Sequence, residues 1–329
     1  MKVHASRMSA KEILCGLTLT SLILYGLSCS KESPRETTAS ETVPETGSDG
    51  YPRSIQTIDG EIVVPEKPRR IVSQTLLTDE VLLEICPAER LVGIHTVSLD
   101  PAFSNCLELA EPLAERAING TEAIISLEPD LVFVASFSRA EVIDQLQAGC
   151  EAPIVRFSDF DNLDQIRNNI EMTGYLIGEE TATEVLVDKM DTRIREAVSR
   201  IPKGATPPKV VSFGPASYTA GGGTLFDDIL KTIGAVNLAA VNGVDRFGQI
   251  GTEQVAFWNP DWVICGVDPG AEESTRDWFF ENPVLQATRA GREDHLLLVP
   301  NRLYTAASQH VADLVELLVE EIYLTEEDQ

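Results

Sequence analysis

Two segments of the chain share one pattern, and this repetition constrains the fold more than any other feature. The first, GTEAIISLEPDLVFV, begins at Gly120, and the second, GTEQVAFWNPDWVIC, begins at Gly251. Each opens with Gly-Thr-Glu, reaches Pro-Asp at the same spacing, and ends in an apolar run typical of a buried strand. A pattern repeated at identical spacing, in equivalent surroundings, predicts two structurally related lobes.

Strand-like and helical segments alternate around both copies. The strand-like segments read RRIVSQ, RLVGIH, DLVFVAS and PIVRF in the first series, and KVVSFG, DWVICGV and HLLLVP in the second. The helical segments include TDEVLLEI, EVIDQLQAG, TLFDDILKTIG and SQHVADLVELLVEEIY, with Thr78 and Thr224 as expected N-caps. This alternation predicts, in each lobe, a parallel sheet covered on both faces.

The stretch between the two series has a different pattern. From Asn162 to Ile201 apolar residues recur at helical spacing, and Gly174 and Gly178 are expected to interrupt them. The part from Glu179 to Arg200 predicts one helix about 33 Å long, at about 1.5 Å per residue. The predicted fold class is α/β, with two Rossmann-like lobes joined by one long backbone helix and a ligand cleft between the lobes.

The amino-terminal residues are typical of an exported protein. Basic residues precede the apolar run ILCGLTLTSLILYGLS, which predicts a signal peptide over residues 1–28; an uncleaved anchor is the alternative. Cys29 follows Gly-Leu-Ser, which resembles a bacterial lipoprotein cleavage box, so lipid anchoring to a membrane is expected at Cys29. Residues 29–55 are polar and predict a disordered tether. The remaining predicted boundaries are an N-terminal lobe at 56–160, a helical linker at 161–203 and a C-terminal lobe at 204–325.

The formal net charge of -26 makes the chain strongly acidic. Surfaces that bind nucleic acids are basic, so no nucleic-acid partner is expected. Apolar residues make up 43% of the chain, enough to bury a sizeable core in one large or two ordinary domains.

Cysteine and histidine spacing argues against a resident metal site, and no cofactor is expected. No C-x-x-C pair occurs, which disfavours zinc and iron–sulfur centres, and neither His295 nor His310 has a ligand companion at helical spacing. An exported protein permits disulfides. Cys86 with Cys106 is the candidate pair, and free thiols are the alternative. The cysteines that follow residue 29 are Cys86, Cys106, Cys150 and Cys265.

Several of these segments together resemble a family, over roughly Arg69 to Tyr323. They are RIVS, TDEVLL, RLVGIH, VVSFGPASYTAGGGTLFDDILKTIGAVNLAA and both Gly-Thr-Glu copies. They resemble the periplasmic substrate-binding proteins of ABC importers for iron–siderophore complexes, hemin or vitamin B12. The resemblance implies two Rossmann-like lobes, one connecting helix that restricts hinge motion, and a ligand between the lobes. One departure concerns the loop before the first helix, where the family's Ser-x-x-Pro-Ser-like run is replaced by Gln-Thr-Leu-Leu at 74–77.

The resemblance also implies a role for the repeated glutamates. Glu122 and Glu253 would each pair with arginines of a permease dimer that works with its ATPase, and two like acids on two like lobes suit a two-fold partner. The alternative is that each Glu only stabilises the first turn of its helix, with the preceding Thr as the cap. The binding protein itself is expected to be a monomer.

Residues at strand ends are candidates for ligand contact, because loops at the carboxyl ends of parallel strands line the cleft in such folds. A histidine could ligate iron or donate a hydrogen bond, aromatic rings suit flat macrocycles, and arginines neutralise anionic chelates. Ordinary structural roles are the alternative for each. The glycine-rich TAGGGTLFDD lacks the lysine of a phosphate loop, so phosphate binding is disfavoured. The candidates are His95, Phe137, Tyr218, Arg246, Phe247, Arg302 and Tyr304.

These observations predict an exported, lipid-anchored binding protein that captures an Fe(III) chelate, heme or a corrinoid and delivers it to an ABC permease. Two alternatives stay open at this point. One is an enzyme with its active site in the interlobe cleft, which no catalytic motif in the sequence supports. The other is a cell-surface protein with an inactive cleft, which serves adhesion.

Overall fold

The computed structural model describes residues 50–324, and within this range the chain forms two α/β lobes. The strands are β1 (Arg53–Thr57), β2 (Gly60–Val64), β3 (Ile71–Gln74), β4 (Leu91–His95), β5 (Ala117–Ile118), β6 (Leu131–Val134), β7 (Ile154–Arg156), β8 (Lys209–Ser212), β9 (Tyr218–Ala220), β10 (Val236–Asn237), β11 (Phe247–Gln249), β12 (Trp262–Val267) and β13 (Leu296–Pro300).

The α-helices are α1 (Leu76–Ile85), α2 (Leu107–Ala110), α3 (Thr121–Ser126), α4 (Ala140–Gly149), α5 (Leu163–Ile177), α6 (Glu180–Ser199), α7 (Leu225–Thr232), α8 (Leu238–Val241), α9 (Thr252–Trp258), α10 (Glu272–Phe280), α11 (Pro283–Gln286), α12 (Arg289–Glu293), α13 (Asn301–Tyr304) and α14 (Val311–Tyr323). Three short 3-10 helices span Ala88–Arg90, Thr96–Leu99 and Glu111–Arg116.

A parallel sheet lies at the centre of each lobe. The N-terminal sheet has the strand order β5-β4-β3-β6-β7, and the C-terminal sheet has the order β10-β8-β12-β13. All pairs within these two sheets are parallel, so their strands are joined by crossover segments that carry the helices. The predicted α/β fold class is confirmed. In both lobes the strand that follows the Gly-Thr-Glu helix lies beside the strand that opens the sheet, β6 beside β3 and β12 beside β8.

The aspartate of the repeated Pro-Asp has the same structural role in both lobes. The carboxylate of Asp130 accepts hydrogen bonds from the backbone N–H groups of Arg69 (2.7 Å) and Arg70 (2.9 Å), just before β3. The carboxylate of Asp261 accepts one from the backbone N–H of Lys209 (2.8 Å), the first residue of β8. Each aspartate therefore fixes the start of the neighbouring strand, which gives this part of the repeat a structural role.

Two successive helices, α5 and α6, connect the lobes. Helix α6 matches the long helix that the spacing predicts. Gly178 ends α5 in the left-handed conformation (φ 71, ψ 42), as a C-capping glycine does. Gly174, however, does not interrupt the helix. It lies inside α5 where α6 approaches so closely that an added Cβ would lie 1.8 Å from Oγ1 of Thr183.

The disordered tether predicted for residues 29–55 ends too late, because strand β1 already begins at Arg53. Strands β1 and β2 pair as an antiparallel hairpin, and Arg53 of β1 is only 3% exposed. Its guanidinium lies 2.5 Å from Oε1 of Glu180, donates to the carbonyl of Tyr175, and packs over the rings of Tyr51 and Tyr175. The hairpin is docked by this arginine together with Ile55 and Val64, which are at most 1% exposed in the apolar core. The segment up to Ser54 is polar, so its composition gives little sign that order begins before residue 55. The signal peptide (1–28) and Cys29 lie outside the described residues.

Three smaller expectations are wrong. Helix α1 begins after Thr75, so Thr78 is not its N-cap; Oγ1 of Thr78 instead lies 2.6 Å from Oγ of Ser73. The predicted Cys86–Cys106 disulfide does not form, because both cysteines are free thiols, and Cys106 is buried. The threonine of each Gly-Thr-Glu is the first helical residue, and the preceding glycine occupies the N-cap position.

One cluster of buried apolar side chains runs through both lobes. It extends from Ile71 of the N-terminal sheet, through Ile166 of α5 and Leu186 of α6, to Ile264 and Val315 of the C-terminal lobe. The lobes therefore share a core, in addition to the cluster that each lobe has for itself. Within the described range, no helix combines the length and the apolarity needed to span a bilayer.

Candidate ligand-binding cleft and docking helices

A cavity of about 1000 Å³ lies at the carboxyl ends of the N-terminal strands. Strands β3, β4 and β6 contribute their last residues, Gln74, His95 and Val134, and the loop after β7 contributes Phe157. The C-terminal lobe contributes one segment, which includes Arg302 and residues 305–307. In open α/β sheets this edge is where ligands bind, so the cavity is the candidate ligand site.

Aliphatic, aromatic and neutral polar side chains make up most of the wall of this cavity. Four phenylalanines line it, together with the amides of Gln74, Asn105, Asn119 and Gln145. Arg139 and Arg302 are the cationic side chains among the lining residues. Apolar walls with a few polar groups are typical of small-molecule sites. The phenylalanines are Phe103, Phe137, Phe157 and Phe160.

The carboxylate of Glu80 is buried beside the cavity and links the two lobes. Its Oε1 accepts hydrogen bonds from the backbone N–H (3.0 Å) and the Nδ2 (3.1 Å) of Asn105. Its Oε2 accepts one from the hydroxyl of Ser308, and its backbone carbonyl accepts one from Nε2 of Gln309 (2.9 Å). Burial raises the pKa of Glu80, while these donors and His310 act in the opposite direction.

The neighbouring acid, Asp79, is fully buried. Its Oδ2 accepts hydrogen bonds from the backbone N–H of His95 (2.8 Å) and from the hydroxyl of Ser98 (2.5 Å), whereas Oδ1 has no partner among the described residues. Burial raises the pKa of Asp79 to about 7, which the hydrogen bonds only partly oppose. The segment from His95 to Ser98 is therefore held at both ends by one carboxyl group.

His95 ends β4 and caps the 3-10 helix that follows it. Its Nδ1 accepts a hydrogen bond from the backbone N–H of Val97 at 3.1 Å. The ring is half-buried and lines the cavity, and burial lowers the pKa of His95. At neutral pH the imidazole is therefore uncharged.

Of the seven predicted ligand residues, the structure brings three to the cavity: His95, Phe137 and Arg302. Phe137 lies at the rim and is 88% exposed. Arg302 is held by two hydrogen bonds to Asn105. Nη1 of Arg302 donates to Oδ1 of Asn105 at 3.1 Å, and Nδ2 of Asn105 donates to the backbone carbonyl of Arg302 at 2.7 Å. The Gln-Thr-Leu-Leu run at 74–77, where the chain departs from the family pattern, also lines the cavity.

Tyr218 and Phe247 lie elsewhere, on the antiparallel pair β9–β11 of the C-terminal lobe. Their partners across the pair are Gln249 and Ala220, so both rings lie on the same face of this ribbon. Both side chains are largely exposed. They are not among the residues that line the cavity.

Arg246 and Tyr304 are engaged in contacts with the protein itself. The guanidinium of Arg246 forms a two-pronged ion pair with Asp161 (2.6 and 2.8 Å), between the C-terminal lobe and the start of the helical linker. The ring of Tyr304 packs against that of Phe226, with centroids 5.8 Å apart, and burial raises its pKa to about 12. Neither residue lines the cavity, so its predicted ligand contact is not supported by the geometry.

Sequence reasoning missed the buried acids of α1. Neither Asp79 nor Glu80 is among the predicted site residues, yet both are at most 2% exposed. Two adjacent acids in an apolar helix are the sole sequence signal. Burial itself depends on contacts with segments such as Ser308, which lies 228 residues away in the chain.

The two Gly-Thr-Glu helices present their glutamates to solvent. Glu122 in the first turn of α3 and Glu253 in the first turn of α9 are both exposed. Among the described residues, neither carboxylate has an ion-pair partner. On α9, Phe257 lies one turn after Glu253 and is 85% exposed. The corresponding position of α3 is Ser126, so the two helices differ in their apolar content.

No group of three or more histidine, cysteine, aspartate or glutamate side chains that could hold a metal ion occurs within residues 50–324. The other two histidines of the described range form local contacts. The ring of His295 stacks on Trp262 with centroids 4.2 Å apart, and Nδ1 of His310 lies 2.8 Å from the carboxylate of Asp313.

Comparison with known proteins gives a consistent result. The profile of the periplasmic binding protein family matches residues 71–303. The uncharacterized ABC transporter substrate-binding lipoprotein YvrC of Bacillus subtilis strain 168 is 26% identical over 274 residues, 80% of this chain and 82% of that protein. A cobalamin-binding protein of Halobacterium salinarum is 22% identical over 221 residues, 65% of this chain and 58% of that protein.

Solved structures show the same fold. The heme-binding protein HmuT is 23% identical, with a TM-score of 0.65, over 86% of this chain and 94% of that chain. A periplasmic binding protein from Veillonella parvula is 21% identical, with a TM-score of 0.69, over 82% of this chain and 97% of that chain. Members of this family are exported solute-binding proteins rather than enzymes, and they work with a permease and an ATPase. The chain therefore belongs to the periplasmic binding protein family and is the substrate-binding protein of an ABC transporter.

Proposed function

We propose that this protein captures a metal complex, namely an iron–siderophore, hemin or a corrinoid, in the cavity beside His95 and delivers it to its permease. The observation that carries the proposal is the cavity of about 1000 Å³, with four phenylalanines and several amides in its wall. Its aromatic lining suits large, flat or bulky ligands better than small ions. Relatives whose names state heme and cobalamin binding support the same range of ligands.

The ligand assignment is tested by titrating the purified protein with hemin, cyanocobalamin and ferric siderophores in a calorimeter. Tryptophan quenching is a second readout, although all three tryptophans (Trp258, Trp262 and Trp278) belong to the C-terminal lobe and none lines the cavity. We expect stoichiometric binding of at least one complex, and loss of that binding when Phe157→Asp places a charge in the wall. If no complex binds, the proposed ligand class is wrong.

The proposal includes docking through the two Gly-Thr-Glu helices. Glu122 and Glu253 are exposed and free of ion pairs among the described residues, as charges that meet a partner must be. Reversing both charges, with Glu122→Arg and Glu253→Arg, is expected to abolish uptake by cells and leave ligand affinity unchanged. Reversing exposed Glu84 and Glu128 is the matched control, because these acids lie outside both first turns. Uptake that survives the double reversal excludes the docking role.

The proposal also includes a lipid anchor at Cys29, close to the membrane that carries the permease. This residue lies outside the described part, so the support is the sequence around it. Cys29→Ser is expected to release the protein from the membrane fraction and to leave ligand binding intact. A variant that stays with the membrane would contradict the anchor.

The adhesion alternative is less well supported. A closed or filled cleft would favour it, whereas a cavity of about 1000 Å³ lies at the strand ends.

A further inference from the structure

The side chain of His95 has its hydrogen-bonding pattern set by the protein. Its Nδ1 accepts the Val97 N–H at 3.1 Å, and a nitrogen that accepts must hold a lone pair rather than a proton. The main chain that supplies this donor is fixed, because the buried carboxyl of Asp79 binds both the backbone N–H of His95 and the hydroxyl of Ser98. The hydrogen bond from the Val97 N–H to Nδ1 of His95 is therefore held in place by the surrounding main chain.

One proton remains for the other ring nitrogen. The half-buried imidazole is neutral, so it carries a single N–H, and with Nδ1 as the acceptor this N–H is on Nε2. None of the described residues hydrogen-bonds Nε2, which leaves the N–H for a molecule in the cavity. A nitrogen that carries a proton has no lone pair for a metal. Moving the proton to Nδ1 would set two N–H groups against each other at 3.1 Å.

The side chains that usually ligate iron or cobalt through sulfur, a phenolate or a carboxylate are also engaged or missing among the described lining residues. No tyrosine, cysteine, methionine or aspartate is among the described lining residues. The lining carboxylate is that of Glu80, and both of its oxygens accept hydrogen bonds, from Asn105 and Ser308. A metal that enters the cavity therefore meets amides, hydrogen-bond donors and apolar rings, and no free thiolate, phenolate or carboxylate among the described lining residues.

We propose that His95 recognises its ligand as a hydrogen-bond donor through Nε2, and that the site takes metal complexes whose coordination sphere is complete before capture. This inference rests on the proposed function and reduces the range of ligands that the site is expected to bind. A corrinoid with both axial positions filled fits this class, and its peripheral amides match the amide side chains of Gln74, Asn119 and Gln145. Hemin with an open axial position does not fit. A strongly anionic chelate fits less well, because among the described lining residues only two arginines, Arg139 and Arg302, could balance its charge.

The first test needs no ligand. The chain has four histidines, so ¹⁵N spectra of the histidine side chains can be assigned by comparing the wild type with His95→Gln. We expect a protonated Nε2 and an unprotonated Nδ1 for His95 at neutral pH. The reverse tautomer would overturn the inference and would leave the proposed transport function untouched.

The second test uses cyanocobalamin and hemin as probes. Bound cyanocobalamin is expected to keep its absorption spectrum, because the cobalt ligands do not change. His95→Ala is expected to weaken its binding about tenfold, the effect of about 1.4 kcal/mol for one hydrogen bond. His95→Gln, which keeps an N–H donor but is a poor metal ligand, is expected to restore most of the affinity.

Other outcomes of the second test have distinct meanings. A hemin complex with a shifted Soret band that is lost in both His95→Ala and His95→Gln would show metal ligation by His95 and overturn the inference. If neither probe nor any ferric siderophore binds, the ligand class under the proposed function fails, and the tautomer measurement still decides the state of His95.

Discussion

Glu80 in the N-terminal lobe and Ser308 in the C-terminal lobe share a buried hydrogen bond, in which the serine hydroxyl donates to the carboxylate. The same carboxylate holds Asn105, whose amide in turn binds the carbonyl of Arg302 at 2.7 Å. Contacts between the lobes next to the cavity thus converge on a single acid.

Removal of this acid is expected to destabilise the protein. Glu80→Ala leaves Asn105 and Ser308 without their acceptor in a buried place, which costs on the order of 3 kcal/mol of unfolding free energy. Glu80→Gln keeps one acceptor oxygen and should cost less. Urea denaturation measures both, with exposed Glu84→Ala on the same helix as the control. Equal losses for Glu80→Ala and Glu84→Ala would contradict the interlobe role.

Asp79 is expected to make stability depend on pH. Its pKa is raised from 3.8 to about 7, so between these values the folded state holds a proton that the unfolded state releases. The stabilisation is complete below about pH 4 and is lost as pH rises through about 7, with a slope of up to about 1.4 kcal/mol per pH unit. Adjacent Glu80, whose pKa is also raised, acts in the same direction.

Asp79→Asn mimics the protonated acid and should flatten this profile between pH 4.5 and 7.5. Its amide nitrogen can occupy the position of Oδ1, which has no partner among the described residues, while its oxygen keeps the donors from His95 and Ser98. Urea denaturation across this range gives the slopes. A variant as pH-dependent as the wild type would assign the effect to other groups.

Gly174 is expected to tolerate no side chain. A methyl group there would meet Oγ1 of Thr183 at 1.8 Å and its Cβ at 2.7 Å, so Gly174→Ala must push α5 and α6 apart. Such overpacking costs about 1–3 kcal/mol of unfolding free energy, which exceeds the gain in helix propensity from glycine to alanine. Gly222→Ala, whose new Cβ would make an ordinary 3.7 Å contact with Ala240, is the matched control in a thermal melt. A Gly174→Ala protein as stable as the control would show that the helices can separate at no cost.

Arg246 is expected to matter little for either stability or ligand binding. Its ion pair with Asp161 is more than half exposed on the arginine side, and solvent screens such pairs to about 0–1 kcal/mol. Calorimetric titration of Arg246→Ala should therefore give the wild-type affinity, whereas Arg302→Ala, at the cavity wall, should weaken binding. Weaker binding by Arg246→Ala would place the ligand partly against the loop that carries Arg246, outside the cavity beside His95.

Phe257 is expected to contribute to docking. An aromatic ring that is 85% exposed and one turn from Glu253 is a candidate anchor for a protein partner. Phe257→Ser, which copies Ser126 of the other lobe, should reduce uptake several-fold and leave ligand affinity unchanged. Val241→Ser, at an exposed valine of the same lobe, is the control. Equal uptake by the two variants would exclude a role for the ring.

Local patterns were enough to predict most of the regular elements. Strand β6 and helix α6, for example, follow from an apolar run after Pro-Asp and from helical spacing over twenty residues. The N-cap of α7 also follows, because Oγ1 of Thr224 accepts from the backbone N–H of Asp227.

Residues whose position depends on distant contacts were not predictable in this way. Tyr304 comes after a strand end, as cleft residues do, yet its ring turns inward because Phe226 of another helix supplies a packing partner. Tyr218 lies away from the cavity, because its strand pairs with β11 and places it opposite Gln249. Hairpin β1–β2 depends on Glu180 of α6, which lies far along the chain. Periodicity carries no information about such partners.

The core that runs through both lobes has a kinetic consequence. Side chains from Ile71 to Val315 pack in one cluster, so a wide opening of the lobes would expose apolar surface at about 25 cal/mol per Å². Ligand exchange must then occur through the existing mouth of the cavity, past the rim at Phe137. Under these conditions the association rate is set by diffusion and orientation, and differences in affinity between ligands arise mainly from how long each one stays.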